Sequence, residues 1–200
     1  MINLLLPNLN LVTSGLLIFH RTTVYMQKLS TKEILNQNLS RSTPGRLGEV
    51  KILLHNVRSM HNVGAAFRSA DAFGIDEILI SGFSPHPPRP EISKTAIGAE
   101  KHVEWSKLED LSKEVKALKG HGYRLLALEQ MTDSTLLPDY TMPADEKICL
   151  VFGNEVTGID EELLPFIDDF IEIPQYGHKH SLNVSVTVGV ALYGILEKYW

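Results

Sequence analysis

One cysteine in 200 residues leaves no internal disulfide to be made. That residue, Cys149, sits inside the apolar run Lys147-Ile-Cys-Leu-Val-Phe152, where a small buried thiol is the ordinary reading and a nucleophile is not. Positive charge is short as well: 19 Lys and Arg against 24 Asp and Glu give a formal net charge of −5. A broad electrostatic surface for nucleic acid is thereby disfavoured, and only a local basic patch remains open. Long hydrophobic runs are missing. The longest near the start, Leu16-Leu-Ile-Phe19, is far below a membrane span. Familiar chemical signatures are missing too. No G-x-G-x-x-G follows the first strand, so there is no dinucleotide fingerprint. Gly153 and Gly158 are spaced like the glycines of a phosphate loop, but Ile159-Asp160 stands where Lys-Ser/Thr should follow and Glu155 would repel phosphate. There is no CxxC, no HExxH and no Gly-x-Ser-x-Gly elbow. His178 and His180 without a further cluster are a weak metal signal, and no metal is expected.

What is present is ordinary for one globular domain: 44% hydrophobic and 22% charged residues. Residues 1–25 are apolar but lack both a basic start and a small-residue cleavage signal, so they read as an upstream extension with Met26 as the working start. Thr31–Gln37 begins like a capped helix, and Ser42–Gly48 reads as a Pro/Gly linker, so residues 26–49 form a short helix and linker ahead of a domain over 50–200. Strands are expected at Val50–Leu54, Asp76–Ser81, His102–Trp105, Tyr123–Leu128 and Lys147–Phe152, and near Ile171. Between them fall helical patterns: one after Asn62, which reads as its N-cap, ending at Gly74; one at Thr95–Glu100; and one at Leu108–Leu118. A loop dense in proline, Gly82–Pro90, separates two of these. The tail from Leu182 fits both periods. Nineteen residues without a turn are too long for a strand, so it reads as a helix capped by Ser181. Strands alternating with helices predict a mainly parallel α/β sheet covered on both faces.

In such sheets ligands sit at the carboxyl ends of strands. Here two strand ends and one helix start carry Gly153-Asn-Glu155, Ile173-Pro174 and Ser181-Leu-Asn183. Taken singly, Asn62 and Ser181 are helix caps, Arg68 is a solvated helix residue, Glu155 is a loop charge and Asn183 a first-turn residue. Together in glycine-flanked loops they indicate a ligand site in an α/β domain, and the residues alone go no further.

Three blocks resemble the motifs of the SpoU (TrmH-like) class of SPOUT RNA methyltransferases. The first is Asn62-Val-Gly-Ala-Ala-Phe-Arg68, the second Leu150-Val-Phe-Gly-Asn-Glu-Val-Thr-Gly-Ile159, and the third Ile173-Pro174 with Ser181-Leu-Asn-Val-Ser185. Lys94-Thr-Ala-Ile-Gly-Ala-Glu100 matches a further frequent stretch, and the resemblance runs from about Lys51 to Trp200. It departs at Val156, where the family often has glycine, and in lacking the extra N-terminal RNA-binding domain of some members. The resemblance implies a six-stranded parallel sheet with a deep C-terminal trefoil knot, against the general rule that chains are unknotted. It implies S-adenosylmethionine as cofactor, held by Leu128, Gly153, Ile173, Ser181 and Leu182. It implies 2′-O-methylation of a ribose in tRNA or rRNA by a cytoplasmic homodimer with no membrane attachment. Arg68 would engage phosphate and the reacting hydroxyl, Asn62 and Asn183 would orient Arg68 and the ribose, and Glu155 would join the first two motif loops. The rival readings are a base-methylating relative and a non-catalytic knotted RNA-binding or assembly protein.

Overall fold

The computed structural model describes residues 3–9, 19–25, 27–42, 47–144 and 146–199, the first two stretches by their backbone only. The chain divides into two compact units, residues 1–42 and 43–200. In the first, β1 (Asn3–Leu9) pairs antiparallel with β2 (Phe19–Tyr25), and α1 (Thr31–Ser40) follows. A capping box starts α1: Glu33 N donates to Ser30 Oγ at 3.4 Å and Ser30 N donates to Glu33 Oε2 at 2.7 Å. The expected start at Met26 lies outside the described residues.

The second unit is built on seven parallel strands: β3 (Val50–His55), β4 (Glu77–Ser81), β5 (Glu104–Leu108), β6 (Tyr123–Leu128), β7 (Thr135–Leu136), β8 (Lys147–Phe152) and β9 (Asp169–Glu172). Their order across the sheet is β5-β4-β3-β8-β6-β9-β7. Among its described residues the α-helices are α2 (Met60–Phe73), α3 (Pro90–Ala96), α4 (Leu111–Gly120) and α5 (Val184–Lys198). Burial on both faces explains the near-continuous apolar strands. Ile52, Leu54, Leu126 and Leu150 face a core with Phe67 and Ala70 of α2, Ile92 of α3, and Val188, Leu192 and Ile195 of α5. Their neighbours Leu53, Leu125, Cys149 and Val151 face the other side, against Val115 and Leu118 of α4 and against Leu163. Burial pushes the Cys149 thiol up to about 12, so it is a packing residue. No helix among the described residues is long and apolar enough to cross a membrane.

Several sequence expectations shift. The implied six strands become seven, because Thr135–Leu136 adds a two-residue strand beside β9, too short to leave a periodic signal. Ser59, not Asn62, caps α2, its Oγ accepting from Asn62 N at 3.3 Å. Asn183, not Ser181, caps α5, accepting from Ser185 N at 2.8 Å. The helix expected at Thr95–Glu100 begins earlier, with Pro90 in its first turn, where a missing N–H costs nothing. The strand expected at His102–Trp105 runs Glu104–Leu108. This moves the start of the next helix to Leu111, behind the Asp110 cap.

Candidate ligand cleft and its neighbours

At the carboxyl ends of β6, β8 and β9 three loops enclose a cavity of about 330 Å³. The first is Leu128–Gln130, the second Gly153–Gly158, and the third runs through Ile173 and Gln175 to His180, Ser181 and Leu182, with Val184 and Thr187 of α5 behind it. All five residues expected to touch a cofactor (Leu128, Gly153, Ile173, Ser181 and Leu182) line this one cavity.

The second loop is a closed turn. Asn154 N donates to Gly158 O at 2.8 Å and Gly158 N returns to Asn154 O at 3.0 Å. Inside it, Asn154 Oδ1 accepts from Val156 N and Thr157 N at 2.8 and 3.1 Å. The glycines are sterically required. A Cβ on Gly153 would lie 2.2 Å from Gly158 O. Gly158 has φ of +72°, and a Cβ there would lie 2.2 Å from Glu129 Oε2. Glu129 Oε2 also accepts from Ile159 N at 3.1 Å, and Gln130 Nε2 donates to His180 O at 3.0 Å, so the first loop holds both of the others.

Glu155 points away from this turn toward the start of α2. It accepts from Arg58 N at 2.8 Å, Ser59 N at 3.0 Å and Asn62 Nδ2 at 2.9 Å. Partial burial pushes its carboxyl up, but the bonds from Arg58, Asn62 and Ser59 outweigh this and hold it below its ordinary value. Asn154 Nδ2 adds a bond to Asn56 O at 2.8 Å. The first and second motif loops are therefore one hydrogen-bonded unit.

The remaining candidates stand apart. Arg68 is exposed on α2 and lines a separate shallow depression with Ser69, Phe73, Lys94, Thr95 and Ile97. Asn62 is committed to Glu155, and Asn183 Oδ1 accepts from Ser185 N and Ser185 Oγ at 2.8 and 2.6 Å. Among the described residues neither amide bonds Arg68. His178 and His180 are exposed, and among the described residues they belong to no three-ligand group. A different grouping was not visible in the spacing. Buried His55 has Nδ1 2.8 Å from Ser81 Oγ and Nε2 3.0 Å from Asp160 Oδ2, with Glu162 Oε1 3.5 Å away. It braces the end of β3 against the segment after Gly158.

The cleft's charge is informative. Its lining includes Glu129, Glu155 and Glu172 and no lysine or arginine, so a phosphorylated ligand meets acid and no cation. Apolar Leu128, Phe152, Ile171, Ile173 and Leu182 lie between these groups. The size and mixed lining suit one small, flat, polar-edged ligand, neutral or cationic. Fold and cleft thus define a parallel α/β protein with a ligand site at its strand ends. The chain belongs to the SpoU rRNA Methylase family, whose profile matches residues 49–193.

A Staphylococcus haemolyticus protein classed in the TrmH family of tRNA/rRNA methyltransferases is 32% identical over 148 residues, 74% of this chain and 58% of that protein. The chain thus spans under three-fifths of that curated relative's length. The crystal structure of an A. aeolicus TrmH/SpoU tRNA modifying enzyme superposes with a TM-score of 0.67 at 25% identity, covering 82% of this chain and 84% of that one. An AdoMet-bound rRNA methyltransferase from Sinorhizobium meliloti shares the fold, with a TM-score of 0.69 at 24% identity over 76% of this chain and 57% of that one.

Proposed function

We propose that the protein methylates a ribose 2′-hydroxyl of tRNA or rRNA, with S-adenosylmethionine bound in the strand-end cleft. The observation that carries this reading is the cleft itself: the five residues that the family resemblance implies for the cofactor line one cavity of suitable size, with carboxylates but no lysine or arginine around it. When bound, the cofactor supplies a methyl group on a positively charged sulfur, already activated toward a nucleophile. Glu129 and Glu172 suit a sulfonium and an ammonium, and would repel the phosphates of ATP or NAD. Leu128, Ile173 and Leu182 offer an apolar bed for an adenine.

The chain's own task is then to align a ribose hydroxyl and to stabilise its oxygen as it loses a proton, since its pKa is far above neutral. We assign Arg68 to this role. Arginine is a poor base, so its part is to hold the neighbouring phosphate and the developing negative oxygen. Asn62 and Glu155 act one step back, fixing the α2 entry loop on the cofactor turn. Asn183 holds the start of α5 beside the cleft.

Arg68 and the cleft are separate depressions within one chain, which supports a homodimer that brings them together. Val186, Val190 and Tyr193 of α5 are 48%, 39% and 48% exposed. Helix α5 packs on α2, with Gly189 beside Ser69, so a second copy docked there would lie next to Arg68. The implied trefoil knot belongs to the same reading: the three cleft loops all come from residues 128–182, in the C-terminal half of the chain. The test is incubation with methyl-labelled S-adenosylmethionine and bulk RNA. Label entering RNA supports the reading, and a protein that binds RNA and cofactor but transfers none refutes it.

A further inference from the structure

The formal charge of −5 makes one surface stand out. Beside the carboxyl end of β4, a depression is lined by Arg58, Phe83, His86, Arg89 and Lys107 with no carboxylate among its lining residues. Among the described residues the Arg58 and Arg89 side chains have no hydrogen bond or ion pair. Among the described residues Lys107 pairs only with Glu109, at 3.2 Å, in an exposed pair that phosphate can displace at little cost.

Within this depression Phe83 is 63% exposed, and its backbone is pinned by hydrogen bonds at it and at the next residue. Phe83 N donates to Asn56 Oδ1 at 3.0 Å. The next residue, Ser84, is 3% exposed, accepts from Val57 N at 2.8 Å and donates to Leu54 O at 3.1 Å. Pro85, Pro87, Pro88 and Pro90 restrict the chain beyond, and His86 stacks on Trp105 with ring centroids 5.5 Å apart. A large aromatic ring held in water by a stiff, anchored loop, in one depression with three cationic side chains, suits stacking on a flat, negatively charged partner. Arg58 joins this surface to the cleft, because its backbone N–H is one of the donors to Glu155.

We propose that the Gly82–Pro90 loop is a landing site for single-stranded RNA. Phe83 stacks on one unpaired base while Arg58, Arg89 and Lys107 contact the flanking phosphates. Paired bases hide their faces, so a duplex cannot use the ring. The proposal rests on the reading that RNA is the substrate, and it names which RNA feature is recognised and where.

The test is fluorescence anisotropy with a fluorescein-labelled single-stranded oligouridine of about 12 nucleotides, within the site sizes such surfaces cover. Phe83→Ala and Phe83→Leu should each weaken binding about tenfold, and Phe83→Trp should restore it. Arg89→Ala should weaken binding and lower the salt slope by about 0.7, one phosphate's share on a single strand. Calorimetric S-adenosylmethionine affinity and the melting temperature should stay at wild-type values in all four. Wild-type protein that ignores the oligouridine overturns the proposal, as does Phe83→Leu and Arg89→Ala binding like wild type, or duplex RNA competing as well as single strand. The two readings separate cleanly. Methyl transfer with unchanged KM for RNA in Phe83→Ala sinks the landing site and leaves the activity standing. Oligouridine binding without any transfer by wild type does the reverse.

Discussion

Asn62 Nδ2 donates to Glu155 Oε1 at 2.9 Å, joining residues 93 positions apart in sequence. With the bonds from Arg58 N and Ser59 N, it makes one carboxylate the clasp between the start of α2 and the Gly153–Gly158 turn. Glu155→Ala should cost about 1–2 kcal/mol of stability, since hydrogen bonds to a charged acceptor are lost where water can partly replace them. Glu155→Gln should fall between, because the amide keeps one acceptor oxygen and turns an NH₂ toward a backbone donor. The pH dependence has a definite sign. Folding lowers this carboxyl from its ordinary 4.5, so its contribution is complete above that value and is lost as pH falls through the lowered one. Urea midpoints between neutral pH and the acid limb should therefore converge for wild type and Glu155→Ala.

Gly153→Ala should weaken S-adenosylmethionine binding by roughly tenfold or more, about 1.4 kcal/mol for each factor of ten. Its methyl would have to displace the backbone at Gly158, which is the wall of the cleft. Gly177→Ala is the matched control: nothing lies within 4 Å of the added carbon, and calorimetry should return wild-type affinity.

Arg68→Ala should lower single-turnover methyl transfer about 10²–10³-fold while cofactor affinity stays unchanged, because Arg68 lies outside the cleft. Arg68→Lys should be nearly as damaging, as an ammonium lacks the planar fork. The free, exposed guanidinium predicts a stability change within about 0.5 kcal/mol. Near-wild-type turnover in Arg68→Ala would remove the residue from the mechanism and favour a base-methylating relative.

Val190→Asp, on the exposed apolar face of α5, should convert a dimer to a monomer in light scattering at micromolar concentration and abolish transfer with it. An active monomer, mutant or wild type, would contradict the apposition of Arg68 with the cleft of a second copy.

The sheet was readable because strands buried on both faces leave unbroken apolar runs, as at Val50–Leu54 and Lys147–Phe152. The cleft loops were readable because glycine at 153 and 158 and the polar Asn-Glu between them have no use inside a strand. The caps differ from the sequence expectation for a physical reason. Asn62 and Ser181 have the right chemistry to cap, but in the fold Asn62 spends its side chain on Glu155, and the bonds at each helix start come from Ser59 and Asn183. Long-range ties leave no local trace at all. The brace of His55 on Asp160 spans 105 positions, and the pairing of Thr135–Leu136 with β9 rests on two residues. Phe83 was visible only as part of a proline-rich loop. Its exposure follows from the anchors on Asn56 and Val57, which no periodicity records.

The methyl group is expected on a ribose oxygen, and one measurement tests this directly. RNA methylated with labelled S-adenosylmethionine should be digested with alkali, which cleaves by attack of the 2′-oxygen on the adjacent phosphate. A methyl on that oxygen blocks the cut, so the label should elute in alkali-resistant dinucleotides and, after enzymatic digestion, as a 2′-O-methylnucleoside. Label recovered in mononucleotides carrying a methylated base would contradict the account.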